Sequence, residues 1–138
     1  MSQYKLQIAE LLVRFFTAIL FVFQGYDKLF RIKMEGVIAT FKADAFRFHI
    51  PNFALTIVAY CTSIIEFLGG ILLLAGFCTT FTLTALGLDL LLVSFAFTYM
   101  QPMWDMKYVF PRFLLIIFLL VIPNNYQLFS LDEALRIN

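Results

Sequence analysis

Three charged side chains lie within apolar stretches of this sequence, where ionisable groups are uncommon. Arg14 supplies a guanidinium, and Glu66 and Asp89 supply two carboxylates. A charge in hydrocarbon is costly unless it is paired or lines a polar cavity. One cation and two acids in such surroundings indicate an internal ion pair, a proton path or a ligand site.

The composition of the whole chain indicates a membrane protein. The chain has 138 residues, of which 62% are hydrophobic and 14% charged, and its mean hydropathy is +0.90. Soluble domains are nearer half apolar and a quarter charged, so a bilayer is the natural solvent. The net charge of +1 argues against a nucleic-acid partner, which would require a basic face.

Four apolar segments cover about residues 8–25, 53–74, 81–99 and 108–122. A membrane-spanning helix needs roughly 20 residues, and the first three segments fit this length. The fourth is short and carries Pro111 and Arg112 near its start. The sequence therefore predicts an all-α protein, one membrane domain over residues 1–138, folded as a transmembrane four-helix bundle. The first segment lacks a small-residue cleavage pattern, so we expect it to be a retained span rather than a secretory signal.

The connection between the first two segments, residues 26–52, has its own pattern. Apolar residues recur there at helical spacing, while charged residues fall elsewhere; the apolar set is Ile38, Phe41, Ala45 and Phe48. This pattern predicts an amphipathic helix in the membrane interface, and a partly ordered polar loop is the alternative.

Lysines and arginines are unevenly divided between the two sides of the predicted bundle. The side of the long connection holds Lys28, Arg31, Lys33, Lys42, Arg47, Lys107 and Arg112, and the opposite side holds Lys5 and Arg136. The positive-inside rule then places the long connection in the cytoplasm and both termini outside.

Counted from the side of the termini, the three internal charges lie at similar depths. Arg14 is about 9 Å inside its segment, and Glu66 and Asp89 are each about 12 Å inside theirs, at the rise of an α-helix. Arg14 is therefore predicted to pair with either acid. Because two carboxylates exceed one guanidinium, we expect one of them to be protonated near neutrality.

Two interpretations of this cluster remain open. It either holds helices together, at little more than about 1 kcal/mol per contact, or shares a proton beside a bound quinone or an ion path. Three aromatic residues toward the loop side would line one end of a quinone pocket: Tyr60, Tyr99 and Trp104. An aromatic belt at the membrane interface explains the same residues without a ligand. One histidine and two distant cysteines do not make a metal site.

The helical faces also predict close packing. A mostly polar stripe follows the first segment through Glu10, Arg14, Thr17, Phe21, Gln24 and Lys28. On the second segment, Glu66 shares its face with Thr62, Gly69 and Gly70, and small residues there let a neighbouring backbone approach.

In order along the chain, several of these elements resemble the DoxX family of small four-helix membrane proteins. They are Arg14, Gly25-Tyr26-Asp27-Lys28-Leu29, Ile50-Pro51, Glu66-Phe67-Leu68-Gly69-Gly70, Leu74-Ala75-Gly76-Phe77 and Ser130-Leu131-Asp132. The sequence departs from the family at Thr80, where a basic residue is usual, and at Pro123-Asn124-Asn125, where the family is glycine-rich. Asp89 is also unusual, so its role rests on physical argument alone.

The resemblance implies an integral protein of the bacterial cytoplasmic (inner) membrane. Relatives are linked to a thiosulfate:quinone oxidoreductase subunit and to membrane oxidoreductase assemblies, so we expect a membrane subunit or partner of a quinone-linked redox complex. Its partners would be the lipid bilayer and another membrane or periplasmic protein. Arg14 and Glu66 would hold or protonate the quinone, with Asp89 in support. The alternative is a non-catalytic scaffold that stabilises another membrane protein. A small proton-coupled transporter is less favoured because no inverted repeat is visible.

Overall fold

All regular structure in the described part of the chain is helical. The computed structural model describes residues 3–45, 50–100, 107, 109–127 and 129–135. The α-helices within these ranges are α1 (Gln3–Tyr26), α2 (Lys33–Ala45), α3 (Asn52–Ala75), α4 (Thr79–Met100), α5 (Phe110–Val121) and α6 (Leu131–Leu135). The predicted all-α class is confirmed.

Three helical stretches are long and apolar enough to cross a bilayer. They are Gln3–Arg31, Asn52–Ala75 and Thr79–Tyr99. Helix α5 has 12 residues and is apolar, but at about 18 Å it is shorter than the hydrocarbon core of roughly 30 Å. Large apolar side chains such as Phe53, Phe81 and Phe95 project from the outer surface of the helices. A bilayer solvates such a surface, so the protein is an integral membrane protein in contact with lipid.

Helices α1 and α3 approach each other closely at two glycines. A Cβ atom on Gly25 would lie 2.5 Å from the backbone nitrogen of Phe67, and one on Gly70 would lie 2.7 Å from that of Val22. Because position 22 meets position 70 while position 25 meets position 67, the two helices run antiparallel. The predicted small-residue face of α3 therefore sets both the distance and the register of this pair.

The connection from α1 to α3 is mostly helical. Helix α1 continues into a π-helical turn, Asp27–Arg31, and α2 starts after it at Lys33, whose φ of 60° changes the chain direction. Val37 on α2 is buried, and Phe41 packs edge-on against Phe97 of α4 with ring centroids 5.8 Å apart. A helix therefore replaces the alternative of a polar loop over residues 33–45, while Arg47 and Phe48 lie outside the described residues.

The chain segment after α5 returns to cap the start of α4. Helix α3 ends at Gly76, which has a left-handed φ of 65°. The carboxylate of Asp132 accepts hydrogen bonds from the backbone nitrogens of Cys78 and Thr79 at 2.6 and 2.7 Å. Its own backbone nitrogen donates to the Gly76 oxygen at 3.0 Å. A negative charge at a helix N-terminus is stabilising, so this side chain supplies the cap of α4 from a distant part of the sequence.

Removing the Asp132 carboxylate is expected to destabilise the fold. Asp132→Ala leaves the first amides of α4 without their acceptor and should cost about 2 kcal/mol. Thermal unfolding in detergent measures the loss, and Glu35→Ala, at an exposed acid of α2, is the control. Equal unfolding temperatures for the two variants would contradict a capping role for Asp132.

Candidate functional site

Glu66 is the centre of a buried polar cluster that joins α1 to α3. Its carboxylate is fully buried, and the Lys28 ammonium lies 2.6 Å from Oε2. The side-chain amide of Gln24 donates a hydrogen bond to Oε1 at 2.6 Å. Gln24 and Lys28 are four residues apart, so the helical turn at the end of α1 presents both donors to the same carboxylate.

Asp89 adds a second buried carboxylate from α4. Its side chain is 3% exposed, and neither carboxylate oxygen has a hydrogen-bond partner among the described residues. The charges of Glu66 and Lys28 both act on it. Arg112 of α5 acts on Glu66 in turn. Two acids and two bases from four parts of the fold are therefore electrostatically linked.

An open groove adjoins this cluster. Its volume is about 530 Å³, and it lies along α1, the π-helical turn and α5. The polar lining comes from Gln24, Asp27, Lys28 and Arg112, and the apolar lining from Ile19, Leu20, Phe23 and Ile32. Along α1 the lining changes from apolar at positions 19–23 to polar at positions 24–28. The groove therefore suits a ligand with a polar head and an apolar tail.

Arg14 lies elsewhere, although it is buried as expected. Its Nε lies 3.6 Å from Oε1 of Glu10, one helical turn earlier, and Nη2 approaches the backbone oxygen of Phe129 at 3.5 Å. Its Nη1 also lies near Gly76, only 2.8 Å from where a Cβ on that residue would be. Arg14 therefore belongs to the α3–α4 turn and the returning chain segment.

The register of α1 on α3 bears on the expected pairing of Arg14 with Glu66. The contacts of Val22 with Gly70 and of Gly25 with Phe67 place Arg14 opposite the end of α3. Gln24, which does reach Glu66, is ten residues further on, or about 15 Å along the helix. Arg14 and Glu66 therefore lie at different levels along the α1–α3 pair.

The three predicted aromatic contacts do not form one described pocket. Tyr99 lines an apolar cavity between α2, α3 and α4, whereas Tyr60 is exposed on α3 and lines neither that cavity nor the groove. Trp104 lies outside the described residues, as does His49.

Sequence analysis missed three contributors to the cluster: Gln24, Lys28 and Arg112. Gln24 and Lys28 belong to the polar stripe of the first segment, which was the available signal. Arg112 was counted only as a loop-side charge, because a basic residue at the edge of an apolar segment has the same pattern whether it faces water or a buried acid.

Comparison with known proteins identifies the family. The DoxX family model matches residues 9–100, which is more than half of the chain. Comparison with curated proteins and with solved structures gave no match. The matched region includes Gly25, Lys28, Glu66 and Gly70, the residues that join α1 to α3. The chain belongs to the DoxX family.

Proposed function

We propose that this protein is a membrane subunit of a quinone-linked redox complex in the bacterial cytoplasmic membrane, and that the groove beside α1 holds the quinone. The observation that carries the proposal is the change of the groove lining from Ile19, Leu20 and Phe23 to Gln24 and Lys28. A quinone is likewise polar at one end and apolar at the other, because its ring carries two carbonyl oxygens and its tail is a hydrocarbon.

The side chains at the polar part of the groove suit the quinone head group. Lys28 and Arg112 are hydrogen-bond donors only, and quinone oxygens are acceptors. Glu66 holds Gln24 and Lys28 in place through its two 2.6 Å contacts. Oxidation of a quinol releases two protons and two electrons. In this proposal Glu66 and Asp89 receive protons, and the electrons pass to a redox centre of the partner protein.

Quinone binding to the purified protein tests this proposal. The parent protein should retain quinone after gentle solubilisation and bind a short-chain quinone. Arg112→Gln removes a charged donor, so binding should weaken roughly tenfold or more. Lys42→Gln, at an exposed lysine of α2 that does not line the groove, is the control. Equal affinity of the Arg112→Gln variant and the control would contradict the assignment of the groove.

A non-catalytic scaffold is the second candidate, and one observation favours it. The contacts of Glu66 with Lys28 and Gln24 join α3 to the end of α1. They would stabilise the fold even if no ligand binds. A scaffold predicts a stoichiometric protein partner and no bound quinone. Mass spectrometry of the natively solubilised complex, for proteins and small molecules together, separates the two candidates.

The proposed architecture is a four-helix bundle of α1, α3, α4 and α5. The helix contacts support this arrangement because they form a ring. Helix α1 packs on α3, α3 on α4, α4 on α5, and α5 on α1. Ile116 and Leu119 of α5 are buried on the inner side. A short span is accommodated by local thinning of the bilayer. Helix α2 then lies in the interface, with Lys33 and Lys42 exposed.

The orientation of the bundle is tested by cysteine labelling. In a background without Cys61 and Cys78, Ala39→Cys on the exposed face of α2 should resist an impermeant thiol reagent in intact cells, because the Lys/Arg distribution places α2 inside. Lys5→Cys, near the start of α1, should react. The reverse pattern would overturn the proposed orientation.

A further inference from the structure

A separate apolar cavity lies between α2, α3 and α4. Its volume is about 280 Å³, and it shares no lining residue with the groove beside α1. Phe41 of α2, Leu55 and Val58 of α3, and Ala96 and Phe97 of α4 form much of its wall. The proposed quinone site makes no use of this cavity.

Water is a poor occupant for such a space. A buried water needs two to four polar partners, and the Tyr99 hydroxyl is the only side-chain polar group among the described lining residues. Apolar cavities of roughly 150 Å³ stay dry and bind small apolar molecules. Atoms that border a void lack van der Waals partners on one side, so an apolar occupant stabilises the wall.

The position of the cavity points to the source of its occupant. Phe95 and Tyr99 both line it, yet their side chains are 74% and 59% exposed on the outer face of α4. Helix α4 is one of the candidate spans, so this face contacts the hydrocarbon of the bilayer. The cavity is thus reached from lipid, where aliphatic chains are present at high concentration.

We propose that this cavity binds one acyl chain of a bilayer phospholipid. The chain inserts past Phe95 and fills the space between α2 and the two spans. The apolar cluster at this place already joins Leu55 of α3 to Phe41 of α2 and to Ala96 and Phe97 of α4. A bound chain completes that cluster and holds α2 against the bundle.

The test uses a phosphatidylcholine that carries a diazirine in the middle of one acyl chain. The purified protein is reconstituted with this lipid and irradiated, and adducts are mapped by peptide mass spectrometry. In the parent protein, adducts should form on residues 54–58 and 93–97, and excess unlabelled phosphatidylcholine should suppress them. Ala96→Leu occupies the volume of about three methylenes, so adducts at residues 54–58 should fall roughly tenfold or more.

Two controls keep the outcome decisive. Ala39→Leu makes the same change on the exposed face of α2 and should leave the adducts unchanged. Ala54→Leu fills the cavity from α3 and repeats the test if Ala96→Leu does not fold. Undiminished adducts in both filled variants would overturn the proposal. Suppression by an isoprenoid quinone but not by phosphatidylcholine would also overturn it, because the occupant would then be a quinone tail.

Discussion

Lys28→Met is expected to destabilise the folded protein by roughly 3 kcal/mol, because it leaves the Glu66 carboxylate buried without its cation. Lys28 is only 19% exposed and lies 2.6 Å from a fully buried oxygen, so water that enters from the groove would replace the lost cation only in part. Breaking a buried ion pair costs about 3–5 kcal/mol in soluble proteins, and polar contacts in membranes are worth less. We therefore expect a loss near the lower limit, measured as thermal unfolding in detergent.

Removing the charge of Glu66 should relieve most of this loss. In the double variant Lys28→Met with Glu66→Gln, neither charge of this ion pair remains, and the two changes should be coupled by about 2 kcal/mol in a double-mutant cycle. Lys42→Met, at an exposed lysine of α2, is the matched control and should change little. If Lys28→Met were as stable as Lys42→Met, the pair would contribute nothing to the fold.

Gly25→Ala is expected to destabilise the folded protein at least as much as Lys28→Met does. The added Cβ would lie 2.5–2.6 Å from the backbone nitrogen and Cα of Phe67, and backbone atoms cannot rotate away as side chains do. Helices α1 and α3 must then separate, which also pulls Lys28 from Glu66. Overpacking costs about 1–3 kcal/mol where side chains can adjust, so we expect roughly 3 kcal/mol or more here. The measurements are unfolding temperature and monodisperse yield in detergent.

Gly87→Ala supplies a control of the opposite sign. Its Cβ would meet Ile116 at 3.6 Å, an ordinary van der Waals contact. Replacing a helical glycine by alanine then stabilises the helix by about 1 kcal/mol. A Gly25→Ala protein that unfolds at or above the temperature of Gly87→Ala would show that α1 and α3 are further apart than the structure places them.

The sequence was sufficient to predict the helices and their inner faces. Apolar segment length identified α3 and α4 within two residues at each end, and helical periodicity placed Arg14, Glu66, Gly69 and Gly70 on buried faces. These features depend on local spacing along one helix, which a single sequence contains in full.

Pairing between helices was harder because it depends on register. The membrane depths of Arg14 and Glu66 were predicted by counting residues from the ends of their apolar segments, which assumes that those ends lie at the same level. The register is instead set by backbone contacts at Gly25 and Gly70, which place Arg14 opposite Gly76. The π-helical turn also places the Lys28 ammonium in contact with the Glu66 carboxylate. No local sequence pattern in residues 26–32 distinguishes a π-helical turn from a loop.

Photolabelling with an azido-substituted short-chain quinone tests the central claim most directly. The reagent is added to the reconstituted protein, and adducts are mapped by peptide mass spectrometry with and without excess unlabelled quinone. The account predicts competed adducts on α1 and the π-helical turn, within residues 19–32, and on α5 near Arg112. They should be lost in Arg112→Gln and kept in Lys42→Gln. Adducts confined to other helices, or labelling that excess quinone does not displace, would contradict a quinone site in this groove.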